Sequence, residues 1–520
     1  MIKATLCLIF CFSMFGSGDT FALTDKELFN KYYKTAVKGD KTAQAYLGVM
    51  YLEGRGVRQN EAEAIKWFQR AAKQQQVLAQ YNLGVMYLEG RGIPQNNQEA
   101  FRWFQQAAKQ GASLAQTNLG TMYEKGQGIP QHYGKAVEWY RQAAAQNEVK
   151  AQYNLGLMYT RGRGLPKSYT EAMTWFRQAA DQGSAEAWFS LGLMYEKGQG
   201  VTTNVKTAAN WFQQAAEKGH VLAQNKLGEM YLTGRGVSHS EKTSVKWYQL
   251  AAQQNNAVAQ NNLGLAYQKG RGVTPNNSEA VKWFLAAAQN GNPQAQYNYG
   301  LACQTGWGIA QSDQEAIKWF LTAAGQGVVA AQLNLAKFYR SGRQEIKPNL
   351  KEAVKWYRQA AQQGNPEAQF NLGIAYVEGQ GGITKNLQTA FDWFMKAAQN
   401  GHPEAQFKVA LAFAQGEGVK PDQKQAASWY HQAANQGLAL AQNHLGLVYE
   451  TGLGLPKNLD QALQWYRQAA TQGLELAIAN VKRLSASFPA VISSPMPSKN
   501  SRTTPTKSSN KLKSKKSRRK

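Results

Sequence analysis

Between residues 77 and 108 the apolar positions fall into two runs. Ala79, Leu83, Met86 and Tyr87 recur at helical spacing, and Ala100, Trp103, Phe104, Ala107 and Ala108 follow at i, i+3, i+4, i+7 and i+8. Each run predicts an amphipathic helix with one apolar face. The stretch between them, Glu89-Gly90-Arg91-Gly92-Ile93-Pro94-Gln95-Asn96, carries stop and restart signals in order. Gly90 suits the left-handed residue that ends a helix, and Pro94 forbids its continuation. Asn96, with Glu99 three residues on, reads as a capping box, as do Ser168 and Glu171. Asn292-Pro293 and Asn365-Pro366 read as N-cap and first-turn proline of later helices.

The same pattern returns along the chain. Tryptophan recurs from Trp67 through Trp103 and Trp139 to Trp465 at steps of 36 residues, with two steps of 37, giving twelve copies of one helix pair. A single pair cannot bury its apolar faces alone, so neighbours must stack into a continuous core. The predicted fold is all-α, an α-solenoid superhelix of helix-loop-helix repeats over 41–470. Lys26 to Lys38 reads as a lone second helix, with Tyr32, Tyr33 and Ala36 near the Trp-Phe-Ala positions, inside an N-terminal capping segment 23–40. A lone first helix in 471–485 caps the other end. Inside most first helices sits a glycine such as Gly84 or Gly264, which costs about 1 kcal/mol against alanine. Close approach of a neighbouring helix through its Ala-Ala pair, with Trp and Phe beside it, would offset that cost. The tryptophans, Trp247 among them, are expected in the core.

The motif Ala-Gln-x-x-Leu-Gly-x-x-Tyr-x-x-Gly-x-Gly-(Val/Ile), then Ala-x-x-Trp-(Phe/Tyr)-x-x-Ala-Ala, matches residues 79–108 almost position by position and recurs from about 41 to 485. It resembles the Sel-1-like repeat (SLR) family, a longer-period relative of the tetratricopeptide repeat. The resemblance implies a right-handed superhelix and an adaptor or scaffold function, often in exported bacterial proteins, including ones that meet host cells. Two neighbouring repeats depart from the motif: Arg340-Ser341-Gly342-Arg343-Gln344-Glu345 lacks the second glycine, and Gly381-Gly382 adds one. An altered loop or a bend is expected there. Some cysteine-rich members of the family were described as β-lactamase-like. Their paired cysteines are missing from this sequence, so that activity is not carried over.

Residues 1–22 read as an export signal, with Lys3 as the positive end, a short apolar run from Ala4 to Phe15, and small residues before a cleavage point near Leu23. Export to the periplasm, the cell surface or beyond follows as an expectation. Cys303, the single cysteine left after removal of Cys7 and Cys11, is then more naturally a small core residue than a reactive thiol. Net charge is +26, and residues 485–520 hold ten lysines and arginines and no acid. A disordered tail over 486–520 is expected. Its end, with Lys511, Lys513, Lys515, Lys516, Arg518, Arg519 and Lys520, suits an anionic membrane surface or lipopolysaccharide. The same charge would also bind nucleic acid non-specifically or act as a nuclear localisation signal; the repeats give nucleic acid no support, and a merely solvated tail is the plain alternative.

Within the repeats two rows stand out. The position after Ala-Gln reads Tyr81, Tyr153, Phe189, Tyr297, Phe370 and Phe407 among others; it is the candidate groove for a protein partner, with inter-repeat packing as the competing reading. The residue between the loop glycines is Arg55, Arg91, Arg163, Arg235 and Arg271 in the N-terminal half, a basic edge suited to an acidic partner or simply solvated. The six histidines form no ligand cluster, so no metal and no cofactor are expected. Ser508-x-x-Lys511 has the spacing of a serine β-lactamase motif but lies in the basic tail. The leading expectation is therefore a non-enzymatic exported scaffold that binds another protein. An effector or anionic-surface binder acting through the tail is the first alternative, and a cell-wall hydrolase the second.

Overall fold

The computed structural model describes residues 23–342 and 347–487. Over these residues it contains 26 α-helices and no strand. The expected signal segment 1–22 and the expected tail 486–520 beyond Ser487 lie outside the described residues, while Ala486 and Ser487, assigned to that tail, belong to the last helix. The chain divides into two compact units, residues 1–292 and 293–520, and each is a stack of helix pairs.

Each pair is built as in the second repeat, where a first helix (Val77–Glu89) is followed by a second (Asn97–Lys109). Gly90 ends the first in the left-handed region at φ 70°, and the Asn96 side chain accepts from the backbone N–H groups of Gln98 and Glu99. The reciprocal half of the predicted capping box does not form there. The Asn96 N–H donates instead to the Tyr87 carbonyl at 2.9 Å, and Glu99 turns to Arg102. That backbone bond from N-cap to tyrosine carbonyl recurs in Ser168 to Tyr159 and Asn386 to Tyr376. It holds even in the repeat lengthened by Gly382, so the extra residue alters the loop and leaves the register intact.

The helical glycines confirm close packing and correct its partner. A Cβ on Gly84 would lie 2.6 Å from the Phe104 ring, one on Gly192 2.5 Å from Phe212, and one on Gly373 2.5 Å from Phe394. The ring of the residue after tryptophan, on the second helix of the same repeat, covers the glycine with its Cδ1–Cε1 side; the Ala-Ala pair does not fill this space. These rings are the deepest side chains, Phe104 and Phe212 being fully buried. Trp247, expected in the core, is only half-buried. It leans on the cluster formed by Phe212 of one repeat and Leu227 and Met230 of the next, so tryptophan seals the joint between repeats while the following ring fills each pair.

The second loop glycine has a role beyond turn geometry. Gly92 and Gly164 hold φ 66° and 73°. A Cβ there would meet Glu61 at 2.6 Å and the Tyr133 backbone at 2.5 Å, at the start of the preceding second helix. The loop is thus pressed against the previous repeat.

The two expected caps are helices, Asp25–Ala36 and Glu475–Ser487. The register of the first is one residue off the sequence reading. Arg55 binds Asp25 as Arg91 binds Glu61, and Gln44 binds the Ala36 carbonyl as Gln80 binds that of Ala72. Lys31 and Tyr32 therefore occupy the Trp67 and Phe68 positions. No helix among the described residues is long and apolar enough to cross a membrane.

Candidate interaction surface

Every aromatic of the candidate groove rests on the buried ring of its own repeat. Centroid separations are 5.8 Å for Tyr81 and Phe104, 5.6 Å for Tyr153 and Phe176, and 5.5 Å for Phe189 and Phe212. In the C-terminal unit they are 5.7 Å for Tyr297 and Phe320, 5.7 Å for Phe370 and Phe394, and 5.8 Å for Phe407 and Tyr430. Tyr81 and Phe407 are buried and the other four half-buried. Their outer faces are also used: the imidazoles of His220 and His402 stack on Phe189 and Phe370 at 4.6 and 4.8 Å. Packing between helices accounts for this row. The following asparagines are not uniformly superficial, since Asn82 is buried and donates to the Leu78 carbonyl.

Both histidines also cap helices. Nδ1 of His220 accepts from the Ala223 N–H, and Nδ1 of His402 from that of Ala405. Burial holds both imidazoles below their usual pKa against the opposing pull of Glu186 on His220 and of Glu404 and Glu367 on His402. The neutral form is the one that can accept.

The basic edge is largely engaged inside the molecule. Arg55 meets Asp25 at 2.9 Å, Arg91 meets Glu61 at 3.0 Å, and Arg235 meets Glu196 at 3.3 Å. Arg163 lies over the Tyr133 ring at 5.3 Å. Arg271 lines a pocket with Glu241, Ser244 and Tyr248 whose volume is about 70 Å³, far below the ~300 Å³ at which small-molecule sites begin. The edge thus braces one repeat against the one before it. The tail cluster from Lys511 to Lys520 lies outside the described residues.

Two features were missed in the sequence. The first is a buried glutamine ladder at the Gln of Ala-Gln. Nε2 of Gln224 donates to the Ala216 carbonyl of the preceding repeat, while its Oε1 accepts from Gln254 at 2.9 Å. Gln369 does the same with Ala361 and Asn400. The signal was present in Ala-Gln and in the Gln or Asn that closes the second helices other than that of the fifth repeat, where Lys218 stands, but a glutamine reads as surface until both ends of its bond are known. The fifth repeat replaces the rung with Trp188, which packs against the clusters on both sides. The second feature is a row of exposed aliphatics at the second position of first helices: Leu114, Leu222 and Val258 in the N-terminal unit, 44%, 52% and 49% exposed, and Leu440 in the C-terminal unit at 41%. Each lies one helical turn before the groove row.

Cys303 is buried beside Tyr299, and burial pushes its thiol pKa up, which suits a core residue and disfavours the nucleophilic thiolate. No group of three His, Cys, Asp or Glu residues able to hold a metal occurs among the described residues.

Stacked helix pairs with open outer faces define a repeat scaffold of the tetratricopeptide-like class. A family model described as Sel1 repeat matches residues 41–75, 77–111, 113–148, 149–184, 185–220, 221–256, 257–292, 293–328, 329–365, 366–402, 403–438 and 439–474, and the chain belongs to that family. Among solved structures it is similar to a protective antigen of uropathogenic Escherichia coli strains displaying an SLR fold, at 31% identity over 92% of this chain and 99% of that one, with a TM-score of 0.63. A Sel1 repeat protein from Oxalobacter formigenes is 29% identical over 62% of this chain and 98% of its own, with a TM-score of 0.50. No curated protein matches the chain.

Proposed function

We propose that the chain is an exported, non-catalytic scaffold that holds a protein partner along the faces of its first helices. The observation that carries this reading is the aliphatic row: Leu114, Leu222 and Val258 keep one register on their first helices and stay exposed. A partner segment that covers such a row gains its burial at little ordering cost from a rigid array. Export rests on the apolar run before residue 23, and a role at the bacterial envelope or in contact with a host is the corresponding biological setting. The antigenic character of the Escherichia coli relative agrees with that setting. The basic tail supplies a separate, salt-sensitive contact with anionic surfaces.

The test is cross-linking of the tagged full chain in its native envelope. The principal adduct is expected to survive high salt and neutralisation of the tail, and to be lost in a Leu114/Leu222/Val258→Gln variant whose melting is unchanged. An adduct that persists in that variant removes the row as the site. Terminal sequencing that finds no cleavage near Leu23 removes export by this signal, and reproducible hydrolytic turnover removes the non-catalytic reading.

A further inference from the structure

Among the described residues the N-terminal helix Asp25–Ala36 is a second helix with no first helix before it, and one flank that the later second helices bury is open. Leu28 and Tyr32 are only half-buried, and Thr35 is exposed, where their counterparts Ala64, Phe68 and Ala71 are fully buried. A cap needs only to be polar there. This one is polar with a single sign. Lys26, Lys31, Lys34 and Lys38 are all exposed, and among the described residues no hydrogen bond or ion pair engages their ammonium groups. At 100° per residue Lys26, Lys31 and Lys34 spread over an arc of about 140° on the side away from Phe29 and Ala36, which pack inward, and Lys38 follows in the turn after the helix. The acids nearby are engaged: Asp25 holds Arg55, Glu27 turns back on the Thr24 N–H and hydroxyl, and Asp40 caps Ala43. Between the lysines stand exposed apolar side chains, Val37 at 55% and Tyr33 at 44%, with Leu23 at 53% just before the helix. The helix at the other end differs. Its outward residues Leu476, Ile478 and Lys482 mix apolar and single basic character, and its Arg483 is bound to Glu450.

We propose that this N-terminal half-repeat docks the array by its edge onto an anionic phospholipid surface, with Lys26, Lys31, Lys34 and Lys38 on the headgroups and Leu23 and Val37 entering the headgroup-acyl boundary. Lipid is favoured over nucleic acid by the aliphatic side chains. They gain nothing on a phosphate backbone but are the residues that interfacial helices bury. Tyr33, the exposed ring that could stack on a base, is held edge-on by Trp67 and stacked on Phe29. Each lysine near the surface contributes about fivefold to partitioning, so four suffice for a local, salt-sensitive contact. The contact is independent of the protein partner and of the C-terminal tail.

The experiment is sedimentation of the full chain with vesicles of phosphatidylcholine alone or containing phosphatidylglycerol. It is done in a background where Lys511, Lys513, Lys515, Lys516, Arg518, Arg519 and Lys520 are all changed to Gln, so that the tail is silent. That background is expected to bind the anionic vesicles and not the neutral ones. Lys26/Lys31/Lys34/Lys38→Gln should lower binding at least tenfold, Lys→Arg at the same sites should retain it, and Val37→Ser should weaken it severalfold at an unchanged melting temperature. No binding by the tail-silent background, or equal binding by the glutamine variant, overturns the proposal. Equal loss from duplex DNA without any vesicle binding overturns it in favour of nucleic acid.

Discussion

The loops of the two units solve the same joint differently. In four loops of the N-terminal unit the residue between the loop glycines reaches back to the first residue of the preceding second helix, Arg55 to Asp25, Arg91 to Glu61, Arg163 to Tyr133, and Gln199 to Tyr169 at 3.3 Å, while Arg235 reaches Glu196 of the preceding first helix. In the C-terminal unit the same two positions hold Gln380 and Leu350, Glu417 and Leu387, Leu453 and Gln423, and no hydrogen bond or ion pair joins those described pairs. What both units keep is the second glycine against the preceding backbone, a Cβ on Gly164 or on Gly381 meeting Tyr133 or Leu350 at 2.5 Å. The backbone contact makes the joint, and the side-chain pair is an addition to it. Variation along the loop edge thus reflects which residue begins the preceding helix, and only then any outside partner.

Substitutions can break that comparison where the units should agree. The largest effect is expected at the ring over the helical glycine. Phe176→Ala and Phe320→Ala should each cost about 3–5 kcal/mol, and the neighbouring Trp175→Ala and Trp319→Ala distinctly less, because those rings are half-buried. Denaturant unfolding of the four variants checks this, and equal losses for Trp and Phe would show that the joint and the pair interior are not distinct. Next come Gly92→Ala and Gly381→Ala. A left-handed backbone and a blocked Cβ should cost about 1–3 kcal/mol in either unit; sensitivity confined to the N-terminal unit would mean that its ion pairs, and not the backbone contact, hold the loop.

The glutamine ladder should also respond alike in both units. Gln224→Leu and Gln369→Leu each leave the carbonyl of Ala216 or Ala361 without its side-chain donor, at a cost of about 1–3 kcal/mol. Smaller still is the pH response, for which each unit carries one half-buried capping histidine. Because the folded state holds His220 and His402 below their ordinary pKa, the unfolded chain binds the proton more readily. The stability these imidazoles contribute is therefore present above ~6.5, the unfolded value, and is lost as pH falls toward the folded values. An N-cap contributes about 0.5–2 kcal/mol. His220→Asn and His402→Asn keep an acceptor that does not titrate, so each should flatten the acid limb of a melting-temperature profile; an unchanged slope would place the acid sensitivity elsewhere.

The helix pairs, their number and the close approach at the glycines were legible because each is a local or periodic property: spacing at 3.6 residues, Gly and Pro between runs, and a 36-residue step. What was not legible was pairing between residues 20 to 30 apart. Phe104 rather than Ala107 covers Gly84, Gln110 finds Gln80, and Arg91 finds Glu61, and each partner belongs to another helix whose rotation the sequence pattern leaves open by a residue. The same limit misplaced Tyr32 and Tyr33 by one position. It also made the half-buried aromatics look like a groove, since a ring at a helix surface has the same spacing whether a partner or a neighbouring ring covers it. The aliphatics at Leu114, Leu222 and Val258 escaped notice because apolar residues in a helical run are assigned inward by default.

The smallest effect is the most discriminating for the comparison. Arg91 and Glu61 are each about one-third exposed, so their pair should contribute only about 0.2–1 kcal/mol. A double-mutant cycle of Arg91→Ala and Glu61→Ala isolates that coupling from the loss of either side chain's own contacts. The coupling should shrink as salt is raised, because exposed charges are screened within about 10 Å at moderate ionic strength. The corresponding cycle on Gln380 and Leu350 should show none at any salt. If the two cycles agree, the arginines brace nothing and their charge is free for an external acid. If they differ as expected, charge reversal along this edge would first loosen the N-terminal joints, and any loss of binding in such a variant would have to be read against its altered stability.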